Sequence, residues 1–285
     1  MSKTDKLGAL LAEPGALVLP GCFDAMSARL IERAGYKGAF MGGFAVSASR
    51  LAEPDTGLIS YAEMVDQGRN ICDAVDFPVF GDGDTGYGNA VNVGRTVRGY
   101  AQAGFACVMI EDQVAPKQCG HTRGKLIVGR DEAFGRIQAA VDARNNGADI
   151  LIMARTDANA TDGMDEAIVR AQTFAEIGAD ITFLEAPRNE DEMRRYCSDV
   201  PGPKMANMVE GGDTPFLAPG ELEAIGYKVV IYPITLMLAG MQAMEDALKT
   251  MQGGSHPDTL AEFSHLRDVV GFPAYYEAEK KYAAD

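Results

Sequence analysis

The stretch "NNGADILIMARTD" (Asn145–Asp157) carries the pattern that decides the fold. A charged, helix-like segment runs into it, and Gly147 supplies the left-handed residue that closes a helix. "ILIMA" then follows as a continuous apolar run, which suits a strand covered on both faces, and the run ends in Arg155 and Asp157. The same phrase returns as "RAGYKGAFMGG" (33–43), "QAGFACVMIED" (102–112), "EIGADITFLEAP" (176–187) and "AIGYKVVIYP" (224–233). Each is the αβ half of a βαβ unit. Three further apolar runs, "ALVLPGC" (16–22), "FPVFGDGD" (77–84) and "PKMANMV" (203–209), fit the same strand role.

Strands are therefore expected at about 16–22, 38–43, 78–83, 106–111, 149–155, 181–186, 204–208 and 228–232. Eight strand-helix units close into a (β/α)8 TIM barrel, an α/β fold that routinely runs to about 250 residues. A doubly wound open sheet more often has fewer strands and a glycine-rich dinucleotide turn. The barrel is assigned to residues 1–250, and the "QGGSHPDT" break near residue 252 sets off a helical tail over 251–285.

Of the 285 residues 47% are hydrophobic, enough for a large core, and 41 acidic against 26 basic residues give a formal charge of −15. Such a surface repels nucleic acid and anionic lipid, so neither is expected as a partner. The N-terminus has no apolar stretch free of Glu and Pro that could serve as a signal peptide, and no segment reaches a membrane span, so a cytoplasmic protein is expected. The cysteines (22, 72, 107, 119 and 197) are scattered without a CxxC, which offers neither a disulfide framework nor a zinc cage.

Barrel enzymes build their sites at the C-terminal ends of the strands, and here those ends are polar. Asp82 and Asp84 in "GDGDTGYG" project to one side of an extended segment, and Glu111 ends the next strand. Neighbouring carboxylates repel, and a hard divalent cation relieves them; three oxygen donors suit Mg2+ or Mn2+ better than zinc. Read alone, the same turn equally fits a solvated, Asx-rich surface loop. Arg155 offers a planar fork matched to a carboxylate, with a structural pairing to Glu185 or Glu111 as the plainer alternative. Asp112 is a weaker candidate than Glu111.

In "PKQCGHTRGK" (116–125) Cys119 has Lys117, His121, Arg123 and Lys125 for company. Cationic neighbours favour the thiolate and lower a thiol pKa toward neutrality, where it can exchange protons. A covalent nucleophile and an inert buried thiol stay open on these residues alone.

Together "GDGDTGYGNAVNVGRTVRGYAQAGFACVMIEDQVAPKQCGHTRGK", "ARTDA" and "NMVEGG" closely resemble the isocitrate lyase / phosphoenolpyruvate mutase superfamily, from about Pro20 to Pro233. The K-x-C-G-H loop resembles its carbon-carbon lyase branch. The resemblance implies Mg2+ at the strand ends, Asp84 as direct ligand, and Asp82 and Glu111 holding metal-bound waters. It implies backbone N–H groups of Gly42 and Gly43 for a substrate carboxylate, and Gly120, His121, Arg155, Glu185 and Asn207 around the substrate. Cys119 is the implied acid, with His121, Arg155 and Glu111 in the catalytic set. It further implies a homotetramer in which C-terminal helices are swapped between subunits.

Within the branch, "NMVEGGDTP" (207–215) is similar to the 2,3-dimethylmalate lyase and petal death protein group. The methylisocitrate lyase arginine after the strand-eight "YP" is missing, which argues against a tricarboxylate. Met41 and Gln118 depart from the usual Ser/Thr and Lys/Arg of the lyases. The expected activity is Mg2+-dependent cleavage of a 2-hydroxy dicarboxylate to a 2-oxo acid and a carboxylic acid. Oxaloacetate acetylhydrolase, oxaloacetate decarboxylase, a phosphonomutase, and a Mg2+-binding barrel without turnover are the alternatives.

Overall fold

The computed structural model describes residues 1–118 and 124–283. They fall into two compact units, Met1–Leu236 and Met237–Asp285. In the first, β1 (Leu17–Cys22), β2 (Ala39–Met41), β3 (Val79–Asp82) and β4 (Cys107–Glu111) are followed by β5 (Leu151–Thr156), β6 (Ile181–Leu184), β7 (Lys204–Asn207) and β8 (Val229–Tyr232). Every neighbour is parallel, and β8 returns to β1 with Leu17 opposite Val229, so the sheet is a closed barrel in sequence order. Most strands are a residue or two shorter at their ends than the apolar runs that announced them, while β5 starts later and runs one residue further, to Thr156.

The repeated glycines close helices as expected. Gly104, at φ +94°, ends the helix Ala90–Ala103 in the left-handed region, and its N–H returns to the carbonyls of Ala101 and Tyr100. That same helix starts on Asn89, whose side chain accepts from the N–H groups of Val91 and Asn92 and so turns the acidic loop after β3 into a helix.

Along the strands, side chains alternate with period two between the barrel interior and the helical shell. Cys107 and Met109 of β4 join the barrel interior with Leu19, Phe40, Phe80, Met153, Phe183, Met205 and Ile231. Val108 and Ile110 instead face the helical shell, as do Ile152 and Ala154 of β5. The alternation fixes what comes next at the top of each strand. Two residues beyond Phe40, Phe80, Met109, Met153, Phe183 and Met205 stand Gly42, Asp82, Glu111, Arg155, Glu185 and Asn207. One polar layer therefore caps an apolar interior.

The bottom of the barrel is closed by a helix the sequence reading did not assign, Lys3–Ala12. Ser2 and Asp5 form a capping box at its start, and Leu7, fully buried, packs into the barrel-interior cluster. Close packing on the shell side needs two glycines. A Cβ on Gly68 would lie 2.1 Å from the Phe105 ring and one on Gly81 2.7 Å from it, so Phe105 fills the space those residues leave.

The chain ends in helices, as expected. Phe263–Val269 and Phe272–Tyr282 pack through Arg267, which lies 5.2 Å from the Phe272 ring and donates to the Tyr276 hydroxyl at 3.0 Å. Among the described residues no helix is long and apolar enough to cross a membrane.

Candidate active site

The polar layer opens into a cavity of about 290 Å³. Phe40, Met109, Phe183 and Met205 line it from the barrel side, while Gly42, Gly43, Asp82, Arg155, Glu185 and Asn207 bring the expected polar groups to it. Asp84 and Glu111 stand behind this lining, buried at 4% and 2% exposure. Cys119, Gly120 and His121 lie outside the described residues.

Asp82 ends β3 and is held from two sides. Its Oδ2 accepts the Gly43 N–H at 3.0 Å, and its Oδ1 accepts the Asp84 N–H at 3.0 Å. Asp84 takes a left-handed backbone (φ +48°), a conformation that Asp tolerates better than most residues, and its carbonyl accepts the Glu111 N–H at 2.9 Å. The two acids thus converge through a turn rather than along one extended strand. Tyr100 donates to the Asp82 carbonyl at 2.6 Å and fixes the strand end from below.

Two further groups complete this cluster. Lys117 places its ammonium 2.6 Å from Asp55 Oδ2 and 2.9 Å from Asp84 Oδ1, with both side chains of each pair about 5% exposed. A Cβ added at Gly43 would lie 3.0 Å from Asp82 Oδ2, 3.3 Å from Lys117 Nζ and 3.4 Å from Asp55 Oδ1. A side chain at Gly43 would therefore press on the charged groups that meet beside its backbone. Asp55 sits in the loop "AEPDTG" (52–57), which follows no strand and so carried no signal in the sequence. Lys117 was legible only as company for Cys119.

Burial dominates the ionisation of these acids. It pushes Asp84 up to about 6 against the pull of Lys117, with Asp82 and Asp55 adding to the rise. It also lifts Glu111 well above the ordinary carboxylate range, against Arg155, and raises Asp55 against Lys117. For Lys117 burial works the other way, but Asp84, Asp82, Asp55 and Glu111 outweigh it and hold the ammonium firmly charged.

Four carboxylates thus surround one ammonium, and Asp55 Oδ1 and Glu111 Oε1 are buried without a hydrogen-bond partner among the described residues. An orphaned carboxylate oxygen in a dry site costs free energy that a cation recovers. No three His, Cys, Asp or Glu side chains close on one point as a complete cage among the described residues. The all-oxygen donor set and these orphaned oxygens fit a hard divalent cation such as Mg2+ better than zinc.

Arg155 stands opposite Glu111 in the β4–β5 register. Its Nε and Nη2 grip Asp157 at 2.8 and 3.0 Å, Nη2 reaches Glu185 at 3.0 Å, and Nε lies 3.3 Å from Glu111. The structural pairing and the cavity-facing position hold together. Asn207 Nδ2 lies 3.5 Å from Glu185 Oε2, which joins β6 to β7 across the rim. Asp112 faces the other way: it binds the Thr156 hydroxyl at 2.7 Å and Arg170 at 3.0 Å. Strand parity separates it from Glu111.

This chain belongs to the phosphoenolpyruvate phosphomutase family, whose pattern it matches over residues 7–252. It is 45% identical to the 2,3-dimethylmalate lyase of Eubacterium barkeri over 287 residues, 99% of each chain. Its fold matches that of oxaloacetate acetylhydrolase in complex with the inhibitor 3,3-difluorooxalacetate at a TM-score of 0.95, with 32% identity over 100% of this chain and 98% of the other. Phosphonopyruvate hydrolase, in a complex with oxalate and Mg2+, matches at 0.88, with 28% identity over 99% of both chains.

Proposed function

We propose that this protein is a Mg2+-dependent carbon-carbon lyase that cleaves a small 2-hydroxy dicarboxylate, of the 2,3-dimethylmalate kind, to a 2-oxo acid such as pyruvate and a second carboxylic acid. The observation that carries this reading is the placing of an electron-rich acid cluster (Asp55, Asp82, Asp84, Glu111) beside a guanidinium on one rim. It is supported by 45% identity, over 99% of both chains, to a lyase of that substrate.

Asp82, Asp84 and Glu111 are the residues that would hold Mg2+, Mn2+ serving as a substitute. Bound there, the ion supplies a Lewis acid for the oxygens around the bond that breaks. Arg155 offers a substrate carboxylate donors already fixed in place, which costs no reorganisation during reaction. Asn207 and Glu185 orient the substrate's polar edge, and the helix capped by Gly42 brings its positive end beside it, the Gly43 N–H itself being given to Asp82. Phe40, Met109 and Met205 accept alkyl branches and exclude water. Cys119 donates a proton to the carbon of the departing enolate half, with His121 two residues further along the chain. The floor formed by Phe40, Met109, Phe183 and Met205 gives the cavity an apolar side that suits a methyl-branched dicarboxylate better than a tricarboxylate.

Incubation of the protein and Mg2+ with 2,3-dimethylmalate, citramalate, 2-methylisocitrate and oxaloacetate tests the reading. Release of pyruvate or another 2-oxo acid supports it. Acetate plus oxalate from oxaloacetate marks a hydrolase instead, a reading supported by the match to oxaloacetate acetylhydrolase at a TM-score of 0.95. Silence on all four substrates would sink both.

The helix Thr235–Gln252 leaves Met241, Met244, Leu248 and Met251 at 47% to 62% exposure, a stripe of apolar surface that a partner subunit would cover. We assign this stripe to a homotetramer with exchanged C-terminal helices, to be checked by light scattering of the intact chain. Free thiols at Cys22, Cys72, Cys107 and Cys197 suit a reducing compartment, and we place the protein in the cytoplasm, which cell fractionation would check.

A further inference from the structure

We infer that Asp157, which does not line the cavity, is a positioning residue that aims Arg155 at the substrate; this rests on the reading of Arg155 as the carboxylate-binding group. Asp157 directly follows β5, is fully buried, and repeats the inward parity of Arg155 two residues on. Its two oxygens take the Nε–Nη2 edge of the guanidinium at 2.8 and 3.0 Å. A planar fork gripped along one edge cannot swing, and its remaining donors are left for a ligand in the cavity that Arg155 lines.

Competing carboxylates show why such a grip is needed. Glu185 lies 3.0 Å from Nη2 and Glu111 3.3 Å from Nε. Without Asp157 the guanidinium would settle between these two acids, one of which is assigned to the cation. Asp157 is itself fixed from two directions, one of them braced by a further cation. Its own N–H donates to Asp112 Oδ1 at 2.9 Å, Asp112 is held by Arg170 at 3.0 Å, and Lys125 donates to Asp157 Oδ1 at 3.2 Å. The chain thus spends two buried cations and a second aspartate on placing one carboxylate that touches no ligand.

Charge and position predict opposite signs, which makes the inference testable. By charge alone, Asp157→Asn removes a negative group near an anion site and should tighten anion binding. By position, it releases Arg155 and should weaken it.

The test is calorimetric titration of oxalate into the full-length protein in the presence of Mg2+. Asp157→Asn should weaken oxalate by roughly tenfold or more, the scale of a lost charged hydrogen bond. Adding guanidinium ion should restore binding to Arg155→Ala but not to the Arg155→Ala/Asp157→Asn double variant, a difference that a merely structural role would not produce. Should Asp157→Asn fail to fold, Asp112→Asn carries the same expectation, since Asp112 holds the Asp157 N–H and does not itself line the cavity. Tighter or unchanged oxalate binding by these variants, with binding lost in Arg155→Ala, overturns the inference alone. A wild-type protein that ignores oxalate, or an Arg155→Ala variant that binds it unimpaired, overturns the reading of Arg155 and the inference with it.

Discussion

Lys117 and Asp55, 62 residues apart in the chain, form a buried ion pair of 2.6 Å at the mouth of the barrel. The same ammonium reaches Asp84 at 2.9 Å. One lysine thus stands among acids that would otherwise repel each other without shielding by water.

Removing it should be costly. Lys117→Met leaves Asp55 and Asp84 buried and unpaired, and breaking a buried pair from one side costs about 3 to 5 kcal/mol. In divalent-free buffer, urea unfolding should show a loss of that order, and Mg2+ should recover part of it. A variant as stable as the parent would show that the cluster is already neutral without Lys117.

Asp84 sets a pH window for metal binding. Its carboxyl is raised by burial to about 6, above its unfolded value of 3.8. Between these limits the folded state holds the proton more tightly than the unfolded one, so this group's contribution to stability falls as pH rises through the window and is constant above it. A bound cation needs the ionised form, so its contribution runs the other way. The rise in Tm produced by Mg2+ should be full above pH 6 and shrink below it, and Asp84→Asn should abolish it. An equal rise on both sides of the window would contradict the assignment.

Cys119→Ser should lower turnover by about a hundredfold or more, the range of a lost general acid, while Mg2+ binding by calorimetry persists. Full activity in this variant would remove the thiol from the mechanism.

Gly68→Ala tests the packing beneath the site. Its Cβ would lie 2.1 Å from the Phe105 ring, and Phe105 also stacks on Tyr100 at a centroid distance of 4.8 Å. Overpacking of this kind costs about 1 to 3 kcal/mol. Because Tyr100 holds the Asp82 carbonyl, Mg2+ affinity should fall along with Tm; stability lost without any change in affinity would break that link.

Much of the fold was legible because its cues are local. Each αβ unit announces itself by a helix-closing glycine and an unbroken apolar run, and these depend on chain neighbours alone. The helix Lys3–Ala12 escaped notice because its burial against the barrel interior comes from closure at the bottom of the barrel. Among the site residues, Asp82, Glu111, Arg155 and Glu185 were visible since each directly follows an apolar run. Asp55 follows none, and Asp157 was seen as a polar strand end without a role.

What the sequence by itself determined is the order of the strands and the chemical character of their upper ends, because backbone propensity and strand parity are properties of short segments. What only the tertiary structure decided is which of those ends meet: Asp55 with Lys117, Arg155 with Asp157, Gly43 with Asp82. Those pairings join loops and strand ends whose distances are set by closure of the barrel, and buried charges, once brought together there, accept only the partners that neutralise them.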